Sequence, residues 1–533
     1  YNTGRVEWNS NNYWGHVLNP IMVLYMHAKD PEVKKMAKAG LDWMFLESSL
    51  HYIDGFQAGA DCRAKNGAYK AFVGSVWGYS YFYYTDANHQ PTCTYNLGSR
   101  VLTDFVGYAP YSTYRPPQVI IDIAQRNFKL PVEIHAAKPF YHLDNNNFQD
   151  WKGNTTKSRR FEFETIYMDD NYLLSSLATY RPDGKVGTFS EQNVWRFAIK
   201  GSNNGCLQVL GNTGTFVDCD GRHPNEEIGQ LNSMVMRLIK NTDKLWVAVP
   251  NTKVLEFVGN TGFVDMGNGV YAAFIPYNTT SKSNAAWSFD GTYNRYDWNF
   301  DPAKLGALVL EVGTVKQYTS YANFKTQIQN KGKFTNPATD VLSYDGANGH
   351  NLKLQYMPTT TYTLVDGTVV NPAGVTPKIW LDGVANDYNT WNSYEVVYGD
   401  KIVDQKWGSG TLTLQSNTQA LQISIDPSTS KVDYKVLGAT SVIQNVQPDK
   451  SGYLVSYSSV DQINVTFLTN ETQEVKLTLY DILGKEVKLL YQGKSLAMNE
   501  QIIEISNSVA VPGIYFVRLE GEKILLTEKI ILN

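Results

Sequence analysis

Residues 17–27, V-L-N-P-I-M-V-L-Y-M-H, form the first strongly apolar run of the chain. Lys29, Asp30 and Pro31 break it, and Pro31 suits the first turn of a following helix. From 32 to 50, Val33, Met36, Ala37, Gly40, Leu41, Met44, Phe45 and Ser48 recur at helical spacing. Gly55, Gly59 and Gly67 then mark a long loop. Residues 69–84 are apolar again and long enough for a helix. Pro116 and Pro117 head a last helix over 116–124. The pattern predicts four or five helices arranged as hairpins around clefts.

After residue 130 the period changes from helical to two. Short alternating runs follow one another, among them V-E-I-H at 132–135, F-E-F-E-T-I-Y-M at 161–168, M-V-M-R-L-I at 234–239 and A-L-V-L-E-V at 307–312. Turns rich in Gly, Asn and Asp separate them. Strands at that density predict a large antiparallel β-sandwich reaching to about residue 425. Residues 427–451 carry Ser, Thr, Asp and Pro and read as a linker. Residues 463–533 are a seven-strand candidate of their own, with a hairpin over 481–485, where Gly484 is free to take positive φ, and a tight turn at Pro512 and Gly513. The expected fold class is multidomain α+β. Residues 1–129 are helical, 130–426 an antiparallel β-sandwich, 427–455 a linker and 456–533 an immunoglobulin-like β-sandwich.

Composition narrows the function classes. Two or three domains fit 533 residues. Charged residues make up 18% and the net charge is −4, so no basic field exists to hold a nucleic-acid backbone. Aromatics are 13%, with 35 Tyr and 12 Trp, whose flat faces with polar handles suit sugar rings. Many tyrosines are also ordinary in β-rich extracellular proteins. Cys62, Cys93, Cys206 and Cys219 allow three pairings, and the sequence-local one, Cys62 with Cys93 and Cys206 with Cys219, would suit an oxidising compartment. No Cys spacing suggests zinc, and no apolar run reaches the length of a membrane span. The chain opens without Met or a signal peptide, so an upstream part is expected to be processed away or missing, and that part or self-assembly stands among the candidate partners.

The chemistry-bearing stretch is residues 9–84, where Asn, His, Arg and Tyr sit at the ends of apolar helices. Those side chains can run a β-elimination on a uronic-acid polymer. A neutral polar donor damps the carboxylate charge, a base takes the C5 proton and an acid protonates the leaving oxygen. Hydrolysis would want two opposed carboxylates. Around the cleft, carboxylates are sparse, Glu7, Glu47, Asp54 and Asp61 among them, and Glu7, Asp54 and Asp61 remain usable, so hydrolysis stays open. Asp169 and Asp170 with Asn171, and Asp218 with Asp220, are conceivable structural calcium ligands, although turn chemistry explains them better. No cofactor or metal is expected in the chemistry.

Two resemblances sharpen this. L-Y-D-I-L-G-K-E-V at 479–487 and P-G-I-Y-F-V-R-L at 512–519 closely resemble the C-terminal sorting domain of the type IX secretion system of Bacteroidetes-like bacteria. That implies export by this machinery to a secreted or surface-held location. Further upstream, N-N-Y at 11–13, D-G-F-Q-A-G-A-D-C-R at 54–63, Y-R-P-P-Q-V-I-I-D-I-A at 114–124, E-T-I-Y-M-D-D-N-Y-L-L-S-S at 164–176 and Q-L-N-S-M-V-M-R-L-I-K-N at 230–241 resemble, in order, pieces of the heparinase II/III-like polysaccharide lyases. Those enzymes join an (α/α) toroid to an antiparallel β-sandwich, so residues 1–129 would be the C-terminal half of a toroid. The resemblance implies an acidic polysaccharide as substrate. Asn12 would neutralise its carboxylate, His223 would be base or charge stabiliser, and Arg63 would bind acid groups. The family's Tyr acid/base position falls on Asp61 and Cys62, so Tyr69 is the nearest candidate, with Tyr79 and Tyr81 behind it as substrate contacts. Tyr13 replaces the His of the family's N-N-H, and His16 stands in for it. Each residue also has a structural reading: Asn12 as a helix cap, His223 on a surface turn, Arg63 paired with Asp61 or Asp54, and Tyr79 and Tyr81 in a core. The competing functions are a catalytically inactive glycan-binding or filament-forming surface protein, and a glycoside hydrolase on the same toroid.

Overall fold

The computed structural model describes residues 14–60, 75–90, 108–139, 160–179, 194–202, 205–213, 226–286, 293–356, 362–363, 369–370, 378–426, 428–437, 452–458, 462–469, 471–481, 484–496, 501–506, 513–522 and 524–532. Two compact units divide at Asp433 and Tyr434.

Four helices open the first unit: α1 (Trp14–His27), α2 (Pro31–His51), α3 (Ser75–Tyr84) and α4 (Gln118–Ala124). The break at Asp30 works as expected. Its carboxylate accepts the Glu32 N–H at 2.8 Å, capping α2, and Pro31 occupies the first turn, where no N–H is needed. Helix α2 packs Phe45 into a ring cluster. Phe45 meets Trp14 at 5.3 Å, Tyr83 at 4.9 Å and Tyr114 at 5.4 Å between centroids. The described helices thus share an aromatic core; four helices do not make a toroid.

The rest of the first unit is β-rich. One long antiparallel sheet runs, in spatial order, through Thr279–Ala286, Tyr293–Phe300, Lys244–Pro250, Gly205–Thr213, Trp195–Ser202, Tyr172–Thr179, Arg160–Met168, Val132–Pro139, Tyr394–Tyr398, Val403–Gln405, Thr411–Gln415 and Ala420–Ile425. A six-stranded sheet holds Glu256–Val258, Thr261–Gly267, Val270–Tyr277, Gly306–Thr314, Met234–Ile239 and Glu226–Leu231. Between them lies the main core. Phe163, Tyr167, Leu174, Phe197, Val209 and Val247 on one side meet Ile228, Met236, Phe274 and Val309 on the other. Because side chains alternate along a strand, the neighbours Glu162, Glu164, Ser175 and Arg196 point to the opposite face of the long sheet. A third sheet, of five strands, adds Lys333–Ala338, Val341–Asp345, Asn351–Gln355, Lys378–Leu381 and Val384–Asn386, and its Leu342, Tyr344, Leu352, Leu354 and Ile379 join the same core.

Two sequence expectations change. The stretch read as purely β contains a short helix, Val315–Tyr318, and a longer one, Tyr321–Lys331. Ser320 caps the latter by accepting the Asn323 N–H at 3.1 Å. Its buried stripe is only Phe324 and Ile328, too sparse to register as a helical period among strands. The expected linker also begins later. Asp426 accepts Ser428 N–H, Ser428 Oγ–H and Thr429 Oγ1–H, a turn that holds its carboxyl down at about 2, and a strand, Val432–Leu437, follows. Val432, Tyr434 and Val436 alternate there with Asp433 and Lys435, a period hidden by the Ser, Thr and Asp around it.

Among the described residues from 452 onward the second unit has seven strands, the first of them, Gly452–Ser458, ahead of the 463–533 in which seven were expected. Gly452–Ser458, Gln462–Thr469 and Gln501–Ser506 form one antiparallel sheet. Glu486–Ser495, Gln473–Asp481, Gly513–Gly521 and Leu525–Leu532 form the other. Leu454, Val465, Phe467, Val475, Leu477, Leu479, Val517 and Leu519 make its own core. The hairpin at 481–485 closes through Asp481, whose Oδ1 accepts the Lys485 N–H at 2.9 Å, and Gly484 takes φ +79°. Pro512 lies outside the described residues.

Candidate functional site

Where α2 ends, the chain turns back on itself within a few residues. Tyr52–Ile53 pairs with Phe56–Gln57, leaving Asp54 and Gly55 as a two-residue turn at φ +44° and +97°. Positive φ at both central positions is the geometry that an Asp-Gly pair serves in a β-hairpin. The D-G of the motif at 54–63 is therefore a turn, and the Asp54 carboxylate accepts the Gly201 N–H at 3.2 Å.

This hairpin brings His51 against the long sheet. His51 Nδ1 lies 2.8 Å from the Glu47 carbonyl and Nε2 2.8 Å from Glu164 Oε1. Both ring nitrogens thus face oxygen atoms. Ser175 Oγ–H donates to the same Oε1 at 2.7 Å and accepts the Ala60 N–H at 3.1 Å. His51, Glu164 and Ser175 are wholly buried. Gly59, at φ +93°, completes the fit. A Cβ there would stand 2.4 Å from His51 Cδ2. The segment leading to Arg63 thus leaves a fixed point, Ala60, pinned to strand Tyr172–Thr179.

One further link ties α2 to the same face, and another lies within it. The Trp43 indole N–H donates to Gln405 Oε1 at 3.1 Å, and Lys138 Nζ donates to the Tyr394 hydroxyl at 2.5 Å. Arg126, at φ +62°, donates to the Tyr52 carbonyl at 2.7 Å; burial lowers its guanidinium to about 10 and raises the Tyr52 phenol. Lys138, Glu162, Glu164 and Arg196 are all buried on this face.

Of the residues singled out from sequence, Tyr79 is wholly buried. Its hydroxyl donates to Asn19 Oδ1 at 2.6 Å, its ring parallels Tyr83 at 6.4 Å, and burial raises its phenol pKa. That is a core position. Tyr81 is half-buried on α3, and His16 is exposed on α1. Asn12, Arg63, Tyr69, His223, Cys62, Cys93 and Cys219 lie outside the described residues, as do Asp218 and Asp220. Cys206 is described only as backbone, in strand Gly205–Thr213. Asp169 accepts the Asn171 N–H at 3.3 Å within a turn, and burial raises its carboxyl. Among the described residues no three His, Cys, Asp or Glu side chains are placed to hold a metal ion.

The sequence reading passed over His51, Glu164 and Ser175. A signal was present: F-E-F-E-T alternates aromatics with carboxylates, and a strand whose polar face is also buried must find partners for them.

Comparison with known proteins places one end of the chain. Residues 459–533 match the secretion system C-terminal sorting domain. No curated protein matches the chain. No helix among the described residues is long and apolar enough to cross a membrane. The sorting domain directs the chain through the type IX secretion machinery, so this protein is one exported by that route to the cell surface or beyond.

Proposed function

We propose that the first unit is a polysaccharide lyase-like module that cleaves an acidic, uronate-containing polysaccharide by β-elimination, with helices α1 to α4 as the C-terminal half of an (α/α) toroid. The observation that carries this reading is the lock between His51, Glu164, Ser175 and Ala60. It fixes the start of the segment bearing Arg63 and Tyr69 onto the charged face of the sheet. A cleft for a charged polymer needs such a rigid floor, because its catalytic groups must hold position to within a fraction of an ångström.

In this scheme Asn12 donates to the uronate carboxylate and spreads the charge that develops as C5 loses its proton. His223 or Tyr69 takes that proton. The C4–O bond then breaks, the leaving oxygen receives a proton, and a C4=C5 double bond remains. Arg63 pairs with a neighbouring acid group. Elimination is favoured over hydrolysis by the state of the carboxylates. Glu47 is buried in α2 and Asp54 already accepts a backbone N–H, so Glu7 and Asp61, with Asp54, are what the four leave for a pair of opposed acids.

Incubation with uronate polysaccharides should release chain ends whose conjugated double bond absorbs in the ultraviolet. Asn12→Ala combined with His223→Ala should abolish that signal. Activity that survives the double substitution removes the assigned mechanism. New reducing ends without a double bond select the hydrolase, and retention of the glycan without cleavage selects a binding protein.

A further inference from the structure

The five-stranded sheet turns one face to the core and the other to solvent. On the solvent face Trp380 stands directly across the ladder from Lys353, whose ammonium sits 4.2 Å from the indole centroid. Lys378 precedes Trp380 by two residues on the same strand and pairs in register with Gln355. Residues two apart on a strand share a face about 7 Å apart. An aromatic plane is therefore flanked by two ammonium groups and an amide. Two carboxylates border it, Asp382 two residues beyond Trp380 and Asp345 opposite Asn351, and both are occupied. Asp345 accepts the Asn351 side-chain amide at 2.7 Å. Asp382 accepts the Asn351 N–H at 2.8 Å and contacts His350 Nδ1 at 2.8 Å. Lys333 stands opposite Asp345. Lys333, Lys353 and Lys378 thus outnumber Asp345 and Asp382 around Trp380, on a chain of net charge −4.

Its backing is rigid. Ile379, Leu352 and Leu354 beneath it are buried in the main core. Behind the sheet, Glu311 accepts the Tyr344 hydroxyl at 2.9 Å and the Asn348 N–H at 2.9 Å, fixing the turn into strand Asn351–Gln355. A flat, rigid surface with one indole and two cations complements a chain of acidic sugar rings. The apolar face of a pyranose lies on the indole, and carboxylates meet ammonium groups.

We propose that the solvent face of this sheet, centred on Trp380 with Lys353 and Lys378, binds acidic polysaccharide outside the proposed catalytic cleft. It stands on the placement of these three side chains and does not require the lyase activity. Native gel retardation of the full chain in polygalacturonate, with neutral dextran as control, tests it. The wild-type chain should be retarded by polygalacturonate, less so as salt rises, and not by dextran. Trp380→Ala, and separately Lys353→Gln with Lys378→Gln, should each weaken retention by about tenfold or more, equivalent to about 1.4 kcal/mol. Unchanged melting temperatures would show that these solvent-side substitutions leave the fold intact. Equal retardation by dextran, no retardation of the wild type, or wild-type retention by both variants overturns the proposal. Release of unsaturated ends is measured in parallel. Retardation without such release would sink the lyase reading and leave this surface standing.

Discussion

A buried imidazole between a carbonyl and a carboxylate cannot lose either partner cheaply. His51 bridges the Glu47 carbonyl and Glu164 with no exposure to water. Removing one member of such a pair leaves the other buried without its partner, which typically costs about 3–5 kcal/mol where the survivor is charged. His51→Ala should therefore destabilise the first unit by that order in chemical denaturation. Ser175→Ala should cost only about 1 kcal/mol, since it deletes a neutral donor from a network whose charges remain paired. Similar costs for both would mean that the ring and carboxylate are not paired as described. The imidazole was within the stretch that drew notice in the sequence, at the head of H-Y-I-D-G. Its partner lies 113 residues away, a separation that no local pattern reports.

At the scale of elements, the turn of the motif at 54–63 shows why glycine recurs there. Gly55 and Gly59 both take positive φ, and the second has a side chain pressed against it. Gly408 has a comparable φ of +73° and open space around it. Alanine at 408 should cost about 1 kcal/mol, the price of backbone strain alone. Alanine at 59 adds a clash with a ring held from both sides and should cost roughly 1–3 kcal/mol more. Equal losses of stability in the two variants would show that the His51 ring is free to move aside. The sequence revealed that this stretch was rich in turns, because Asp-Gly and spaced glycines are local signals. It could not reveal that Gly59 makes room for a ring from the preceding helix, nor that Tyr79 faces Asn19 inside a core while Tyr81 stays partly outside. Apolar runs in which every face carries an aromatic have no periodicity that distinguishes inside from outside.

At the scale of the whole molecule, two cores share no residue. Leu477 and Val517 belong to one, Val247 and Phe274 to the other. Leu477→Ala should cost about 2–5 kcal/mol in the second unit and lower its melting transition, while the transition of the first unit stays where it is. A shift of both transitions in calorimetry would contradict the division at Asp433 and Tyr434. Six of the seven strands around Leu477, those from Gln462 onward, lie in the part matched by the sorting domain, so such a variant reads stability within the export signal itself.

The alternation of apolar and polar residues was enough to establish the β-rich architecture, the aromatic helices at the start and the sorting domain at the end, because each rests on neighbours in the chain and on short, distinctive motifs. Which face of a strand is covered, and by what, was decided only by folding. Glu162, Glu164 and Arg196 are charged yet buried, Glu164 against the ring of His51, and Trp380 stands on the face of its strand opposite the buried Ile379. Burial is a property of what packs on top, and those partners lie tens to hundreds of residues away.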